Sequence, residues 1–276
     1  MIGGILRRAQ WLKSHPGDVL SLETGRILGG TDRQEILKGE TIAEILGGAE
    51  VDAVNLSVED SAIGSGTVAA MHRLLGGKFV SSSVSQSGHF DLPSNVLKGP
   101  FMVVGDEPDS ARLAARLGGS SQVDSGGLQG WYEFAEAAEK AFVIMTQGGR
   151  DRALELAQKF PQTLFIAYQS ETRPNHEVEM LGSVALVSPG DHGKFGVRLK
   201  VKAGKILEYD VIDFGPTIED DRKSTTTYNT YLQRIEDEKL IEQLPRQGSA
   251  PYVGTEACIS CHPVAGDVWS MSRHAE

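Results

Sequence analysis

Hydrophobic residues recur along most of the chain in short runs that are separated by amphipathic stretches. The runs have the length and β-branched content of buried strands, and lie at 18–22, 52–57, 78–83, 100–105, 141–147, 163–168 and 183–188. The intervening stretches carry apolar residues at helical spacing, around 32–47, 67–75, 107–117, 129–140 and 149–160. This alternation of strand and helix predicts a layered α/β domain.

The pattern changes after residue 194. Apolar and polar residues alternate in "KFGVRLKVKAGKILEYDVIDFG" on both sides of Ala203 and Gly204, which predicts a β-hairpin that closes the sheet. Further on, Leu232, Ile235, Leu240 and Leu244 are the apolar positions of a helix predicted over 228–244.

A linker is predicted next, because Pro245, Gly248 and Pro251 break the helical pattern. We therefore expect three segments, a large domain at 1–216, a helix and linker at 217–250, and a C-terminal segment at 251–276. The first residues, "MIGGILRRAQWLKSH", predict a helix rather than a signal peptide, since the order of charge, apolar core and cleavage site is missing.

Composition narrows the possible partners. The chain of 276 residues has a formal net charge of −10, which argues against nucleic acid or an anionic membrane as the main partner, because both need a basic face. Its longest apolar runs are strand-sized, far below the roughly 20 residues of a spanning helix. We expect no membrane span, and the sequence does not address the oligomeric state.

The two cysteines of the chain, Cys258 and Cys261, stand in a C-x-x-C-H string with His262. This pattern is typical of c-type haem attachment, in which the thiols bond the haem vinyl groups and the histidine ligates the iron. A zinc site is the second possibility, with His274 as a third ligand, but a fourth ligand is lacking. A thioredoxin-like pair is disfavoured because the cysteines follow a linker, and two exposed thiols in a tail would be a liability.

The surrounding stretch, "YVGTEACISCHPVAGDVWSMSRHAE", resembles the first haem-binding segment of the cytochrome c554-type multihaem family. The matching residues are Tyr252, Gly254, Cys258, Cys261, His262, Trp269, Ser272, His274 and Ala275. The resemblance implies covalent haem c on Cys258 and Cys261, with His262 as the proximal ligand. His274 would be an axial ligand of the same haem or of a neighbouring one.

Such a segment implies electron transfer, because bis-histidine ligation leaves no open position on the iron. Redox partner proteins or neighbouring haems are the expected partners, and residence in the periplasm or outside the cell is implied. Since members of this family carry several C-x-x-C-H strings and the chain stops soon after His274, we expect it to be a fragment of a longer protein.

The first 215 residues resemble the calcineurin-like metallophosphatases of the 5′-nucleotidase branch. The resemblance is carried by "GGILRRAQWLKSHPGDVLSLETGRILGG", "DAVNLSVEDSAIG", "AFVIMTQGGRDRALELAQKFPQTLFIAYQSE" and "VALVSPGDHGKFGVRLKV". It implies an α/β/β/α sandwich, followed here by a helix and the small haem-binding segment. It also implies two divalent metals held by D-x-H, G-D, G-N-H-[DE], a lone His and G-H-x-H motifs at strand ends.

The ligands of those motifs are missing. The D-x-H strand would lie upstream of Met1. The other positions hold Arg26 for the bridging Asp, Val58 and Glu59 for the Asn-His pair, Gln147 for the lone His, and Gln169 and Glu171 for the His residues of G-H-x-H. A guanidinium in place of a bridging carboxylate repels two dications, so we expect no phosphatase activity.

Two hypotheses describe what fills the former site. Arg26 could pair with Glu59 or Glu171, which we expect, or Glu23 could join those two glutamates in a new carboxylate metal site. Four other histidines, His15, His72, His176 and His192, carry no partner pattern, and we expect packing or surface roles for them.

The leading hypothesis is a c-type haem-binding electron-transfer protein built on a catalytically inactive metallophosphatase-like domain. The alternative is a metal-dependent phosphoesterase of the 5′-nucleotidase type fused to a cytochrome. A third hypothesis is a binding module that holds an anion on Arg26.

Overall fold

A computed structural model describes residues 4–15, 17–85, 90–121, 126–190, 193–243 and 255–272. Its internal contacts divide the chain into two compact units, Met1–Leu240 and Ile241–Glu276. Among the described residues, no helix is both long and apolar enough to cross a bilayer.

Two main sheets form the centre of the first unit. Its strands are β1 (Leu22–Glu23), β2 (Ala53–Asn55), β3 (Phe79–Val80), β4 (Val84–Ser85), β5 (Asn95–Lys98), β6 (Phe101–Asp106), β7 (Ser120–Ser121), β8 (Ala141–Thr146), β9 (Phe165–Tyr168), β10 (Glu179–Leu181), β11 (Val184–Val187), β12 (Phe195–Lys202) and β13 (Lys205–Asp213). The first sheet has the parallel order β1-β2-β3, and the second has the order β10-β11-β9-β8-β6-β5. The central strands of the second sheet are parallel, and β5 and β10 are antiparallel edges.

Helices cover the outer faces of both sheets. Those of the first unit are α1 (Ile5–Lys13), α2 (Arg33–Gly48), α3 (Ser65–Leu74), α4 (Ser110–Leu117), α5 (Gly126–Ala137), α6 (Gly149–Lys159) and α7 (Arg222–Asp237). The second unit contains α8 (Thr255–Ile259) and α9 (Pro263–Ser270).

Three separate apolar clusters show that the first unit has four layers. One lies between the first sheet and helices α1 to α3, and another between the second sheet and helices α5 and α6. The third lies between the two sheets, where Ala53 and Val80 meet Val103 and Val143. Because strand residues alternate faces, Val103 points into the sandwich while Val104 packs under the helices. The predicted α/β/β/α layering is present.

Aspartates fix where several helices begin. The Asp32 carboxylate accepts the Glu35 N–H at the start of α2, and Asp221 accepts the Ser224 N–H at the start of α7. Such N-caps each contribute about 1 kcal/mol. The cap at Asp221 explains why α7 begins at Arg222, whereas the apolar pattern predicted a helix over 228–244. The helix ends at Asp237.

Helix α7 packs on α2, so it belongs to the first unit. Leu37 of α2 lies in one cluster with Tyr231, Ile235 and Leu240, while Leu232 is exposed, contrary to the predicted apolar face. The predicted hairpin is confirmed as β12 and β13, which turn at Ala203 and Gly204 with φ angles of 49° and 69°. It forms a separate two-stranded sheet, so the prediction that it closes a main sheet is wrong.

Candidate functional site

The parallel strands of both sheets reach their carboxyl ends at one edge of the sandwich, and the groups between these strand ends are hereafter called the cleft. On the first sheet it is bordered by the loop Thr24–Leu28 after β1 and by the residues after Asn55. On the second sheet Asp106, Gln147 and Gln169 end or follow neighbouring strands. Such a strand-end crevice is the usual place for a ligand in an α/β fold, and all the positions of the expected metal ligands from Arg26 onward follow strands here.

Two glutamines close the cleft from the second sheet. Gln147 donates its side-chain N–H to the carbonyl oxygen of Thr24. Gln169 donates to the Thr24 hydroxyl at 2.9 Å and to the carbonyl oxygen of Gly25 at 3.0 Å. Gly25 has a φ of 94°, and a Cβ there would collide with the Asn55 carbonyl oxygen and the Gln147 amide nitrogen. The chain is therefore tightly packed where a bridging metal ligand would lie.

Asn55 closes the cleft from the first sheet. Its side chain is fully buried and donates to the carbonyl oxygens of Asp106 and Met145, both at 3.1 Å. Asn55, Gln147 and Gln169 are hereafter called the amide cluster. Together they join the two sheets through hydrogen bonds from neutral groups.

Asp60 holds the loop Thr24–Leu28 from the other side. Its carboxylate accepts the backbone N–H groups of Arg26 at 3.1 Å and Leu28 at 3.0 Å, and the Ser57 hydroxyl at 2.7 Å. Burial raises the pKa of Asp60 to about 6, although the hydrogen bonds from Ser57, Leu28 and Arg26 oppose the rise. This carboxylate is thus committed to the protein's own donors.

The other buried carboxylates at this edge are also engaged. Asp106 is 3% exposed, pairs with the Arg152 guanidinium at 2.9 Å and accepts the Thr146 hydroxyl at 2.7 Å. Glu107 accepts the backbone N–H groups of Val58 and Asp109, and burial raises the pKa of its carboxyl group. Neither group offers a vacant carboxylate to a metal ion.

The predicted ion pair of Arg26 with Glu59 or Glu171 is wrong. All three side chains are exposed, and none of the ion pairs within the described ranges joins them. The physical reason is that the amide cluster already fills the space between the sheets. The charged side chains are left in water, where an ion pair would contribute little.

The hypothesis of a new carboxylate metal site also fails in this structure. Glu23 is paired with Arg8 at 2.6 Å, and both side chains are 17% exposed. In the part of the chain that the structure describes, no three His, Cys, Asp or Glu side chains are grouped as a metal site.

Two buried amide oxygens of the cluster, Asn55 Oδ1 and Gln147 Oε1, have no donor within the described residues. Both are neutral acceptors. Two neutral oxygens cannot balance two dications, for which proteins supply several carboxylates and histidines. The residues present do not fit the dinuclear metal centre that the resemblance implies.

In contrast to the cleft, the C-x-x-C-H string of the second unit presents exposed side chains. Cys258 and Cys261 are free thiols and exposed, and His262 is exposed beside them. The backbone N–H groups of Cys261 and His262 both donate to the carbonyl oxygen of Cys258, at 3.2 and 2.9 Å. One tight turn therefore presents two thiols and an imidazole, and the Cys261 sulfur accepts a weak hydrogen bond from the Ser260 hydroxyl at 3.9 Å. His274, the other predicted ligand, lies outside the described residues.

Helix α9 adds an apolar surface to this turn. Val264, Val268 and Met271 recur at helical spacing and are 75%, 63% and 81% exposed. Gly266 packs instead against Ile259 of α8, where a Cβ would lie 2.5 Å from the Ile259 side chain. Haem is a large apolar plate, so paired thiols, an imidazole and uncovered apolar side chains fit the group.

Three other histidines, His15, His72 and His176, have ordinary surroundings. His72 is buried against Phe79 and Phe90, and burial lowers the pKa of its imidazole while the Asp91 charge opposes that shift. His176 is exposed, and the His15 Nδ1–H donates to the Trp11 carbonyl oxygen at 2.7 Å. His192 lies outside the described residues.

The sequence interpretation missed Asn55 and Asp60. Both stand in the quoted stretch "DAVNLSVEDSAIG", and polar residues within or just after a buried strand were the pattern that could have identified them. The pairing of Asp106 with Arg152 links positions 46 residues apart, and local spacing could not reveal it.

No protein-family profile and no curated protein matches the sequence. Solved structures do match its fold. A sulfate thiohydrolase, SoxB, from Thermus thermophilus is 18% identical with a TM-score of 0.69, over 86% of this chain and 47% of that one. A 5′-nucleotidase precursor from the same species is 15% identical with a TM-score of 0.68, over 86% of this chain and 53% of its own.

A third similar structure is the calcineurin-like phosphoesterase YfkN of Bacillus subtilis. It is 14% identical with a TM-score of 0.62, over 84% of this chain and 89% of that one. At these identities the likeness concerns the fold, and it confirms the metallophosphatase-like sandwich. The chain spans about half the length of the first two structures.

Proposed function

We propose that the first unit is a metallophosphatase-fold body without a working dinuclear centre, and that the second unit anchors haem c for electron transfer. The observation that carries the first part is the amide cluster, which occupies the cleft with neutral donors. The second part is supported by the exposed C-x-x-C-H turn.

The residues that would hold haem c are Cys258, Cys261 and His262. Each thiol would add its S–H across a vinyl group, giving a thioether bond with the proton on the neighbouring carbon, so no oxidant is consumed. His262 would ligate the iron, and the prediction for His274 as a second axial ligand is kept. When bound, haem supplies one-electron transfer, and the protein supplies the attachment, the orientation and the apolar surface.

Residence and partners follow from this proposal. Covalent haem attachment of this type takes place outside the cytoplasmic membrane, so we place the protein in the periplasm or outside the cell. Its partners would be redox proteins or neighbouring haems.

A second candidate is a metal-dependent hydrolase of the 5′-nucleotidase type, and the comparisons favour it over electron transfer. The similar structures are a thiohydrolase, a 5′-nucleotidase and a phosphoesterase, and no comparison bears on haem. Against it stands the composition of the cleft, where Arg26, Gln147 and Gln169 replace the expected ligands. We rank it second because metal hydrolysis needs an activated water that this set of side chains cannot hold.

One preparation tests both candidates. The full chain is exported to a periplasm that contains the c-type haem maturation machinery, then examined by intact mass and by pyridine haemochrome absorbance. We expect a mass increased by one haem, and no turnover of AMP or bis-p-nitrophenyl phosphate with Mn²⁺, Zn²⁺ or Mg²⁺. A mass equal to the bare polypeptide removes the haem proposal, and metal-dependent turnover that Glu59→Gln abolishes establishes the hydrolase.

A further inference from the structure

The loop Thr24–Leu28 is held by protein groups at almost every residue. Gln147 and Gln169 bond to Thr24 and Gly25 from the second sheet. The Asp60 carboxylate bonds to the N–H groups of Arg26 and Leu28. These contacts come from side chains on both sheets, although the loop itself follows a strand of two residues, Leu22–Glu23.

A loop in this conformation needs outside support. Gly25 and Arg26 have φ angles of 94° and 55°, and Arg26 is one of few non-glycine residues with positive φ in the described ranges. A non-glycine residue there costs about 1 kcal/mol or more. Strand β1 pairs through Leu22 and Glu23 alone, so the short ladder cannot fix the loop.

We propose that the amide cluster and Asp60 form a metal-free clamp, which fastens the loop Thr24–Leu28 to both sheets in place of a metal pair. This inference rests on the first part of the proposed function, according to which the cleft has no working dinuclear metal centre. The glutamine N–H groups reach the carbonyl and hydroxyl oxygens of the loop, and Asp60 takes its N–H groups. The loop thus receives hydrogen bonds from the glutamines of the second sheet and donates hydrogen bonds to Asp60.

Positions at which the resemblance implies metal ligands therefore have a structural role in this chain. Asn55 donates to backbone oxygens of the second sheet, and its own carbonyl oxygen lies against Gly25. A larger residue at position 25 would displace Gln147 as well. The clamp therefore also determines that residue 25 is glycine.

Hydrogen exchange of the full chain tests the clamp. Gln169→Ala removes two donors to the loop, and we expect amide exchange in residues 24–28 to become about tenfold faster, since one or two such bonds are lost. Gln129→Ala is the matched control, because Gln129 bonds to Glu133 at 2.8 Å on the exposed side of α5. Its exchange in the loop should equal that of the wild type.

A milder variant protects the test against a failure to fold. Thr24→Val removes the hydroxyl acceptor of Gln169 alone, and we expect about a threefold increase in loop exchange. The wild type is also measured with 1 mM Mn²⁺ or Zn²⁺, and we expect no change in the loop.

Loop exchange within twofold of the wild type in both variants overturns the clamp. So does a slowing of wild-type exchange by either metal, because a ligand that binds the folded cleft protects it. Haem content measured on the same samples reports on the second unit alone. A chain without haem but with a metal-independent, glutamine-dependent loop would refute the haem proposal and leave the clamp intact.

Discussion

The polar side chains in the cleft of the first unit are hydrogen-bonded within the protein, whereas those of the C-x-x-C-H turn in the second unit are exposed. In the cleft, Asp60, Asp106 and Gln169 are bonded to other parts of the chain. In the turn, Cys258 and Cys261 are exposed thiols. Polar groups that satisfy one another stabilise a fold, whereas uncommitted ligand groups are available for chemistry. The proposed function accordingly assigns a structural role to the cleft and haem binding to the turn.

The largest expected effect comes from the turn. Replacing Cys258 and Cys261 together by alanine should lower covalent haem from one per chain to none, because both thioether bonds are lost. Intact mass and pyridine haemochrome absorbance measure the change. Ser260→Ala is the control in the same turn, and it should keep full haem content. Equal haem in both variants would show that the thiols are not the attachment sites.

The next effect concerns the ion pair of Asp106 with Arg152, in which the Asp106 side chain is buried and that of Arg152 is 33% exposed. Arg152→Ala leaves Asp106 buried without its cation, and we expect a loss of about 3 kcal/mol in the free energy of unfolding. Arg198→Ala breaks a pair with Asp210 in which both side chains are more than 40% exposed, and should cost under about 1 kcal/mol. Urea unfolding measures both. Equal losses in the free energy of unfolding for the two variants would contradict a structural role of the cleft.

A pH series separates Asp60 from the other carboxylates. Its pKa is raised from 3.8 to about 6 in the folded chain, so the native state takes up the proton first as the pH falls. The contribution of Asp60 to stability therefore rises as the pH falls from 7 to 4, by about 2 kcal/mol, and is constant above pH 7. Wild type and Asp60→Asn should diverge by that amount in urea unfolding from pH 7 to 4. Parallel curves would contradict the assigned pKa.

The smallest expected effect is on hydrolysis. Glu59 is exposed beside the cleft and has no assigned chemical role, so Glu59→Gln should leave phosphodiester turnover at the background rate of the wild type. The assay uses bis-p-nitrophenyl phosphate with each divalent metal in turn. Turnover above background in the wild type, lost in the variant, would assign catalysis to the cleft and end the contrast between the two regions.

The fold could be predicted from the sequence because its layers follow from local patterns. Runs such as "AFVIMT" and "TLFIAY" have strand length, and the helices between them carry a clear apolar face. The short strands β4, β5, β7 and β10 were not predicted, since two to four residues carry no clear periodic pattern. The start of α7 was missed because it depends on the capping side chain of Asp221.

The site was predicted in part. The sequence positions of Arg26, Gln147 and Gln169 indicated that metal ligands were missing. The sequence could not show what replaces these ligands, because the hydrogen bonds from Gln169 to Gly25 and from Asn55 to Met145 span 144 and 90 residues. The opposite charges of Arg26 and the glutamates suggested an ion pair, but the uncharged side chains of the amide cluster occupy the space between the sheets.

Elemental analysis of the purified, exported chain tests the contrast between cleft and turn most directly. One sample reports both regions, since haem brings iron and a dinuclear centre brings two equivalents of manganese, zinc or another divalent metal. We predict one iron per chain that persists after dialysis against EDTA, with every other metal far below one equivalent. Two equivalents of divalent metal and no iron would contradict the proposal in both regions.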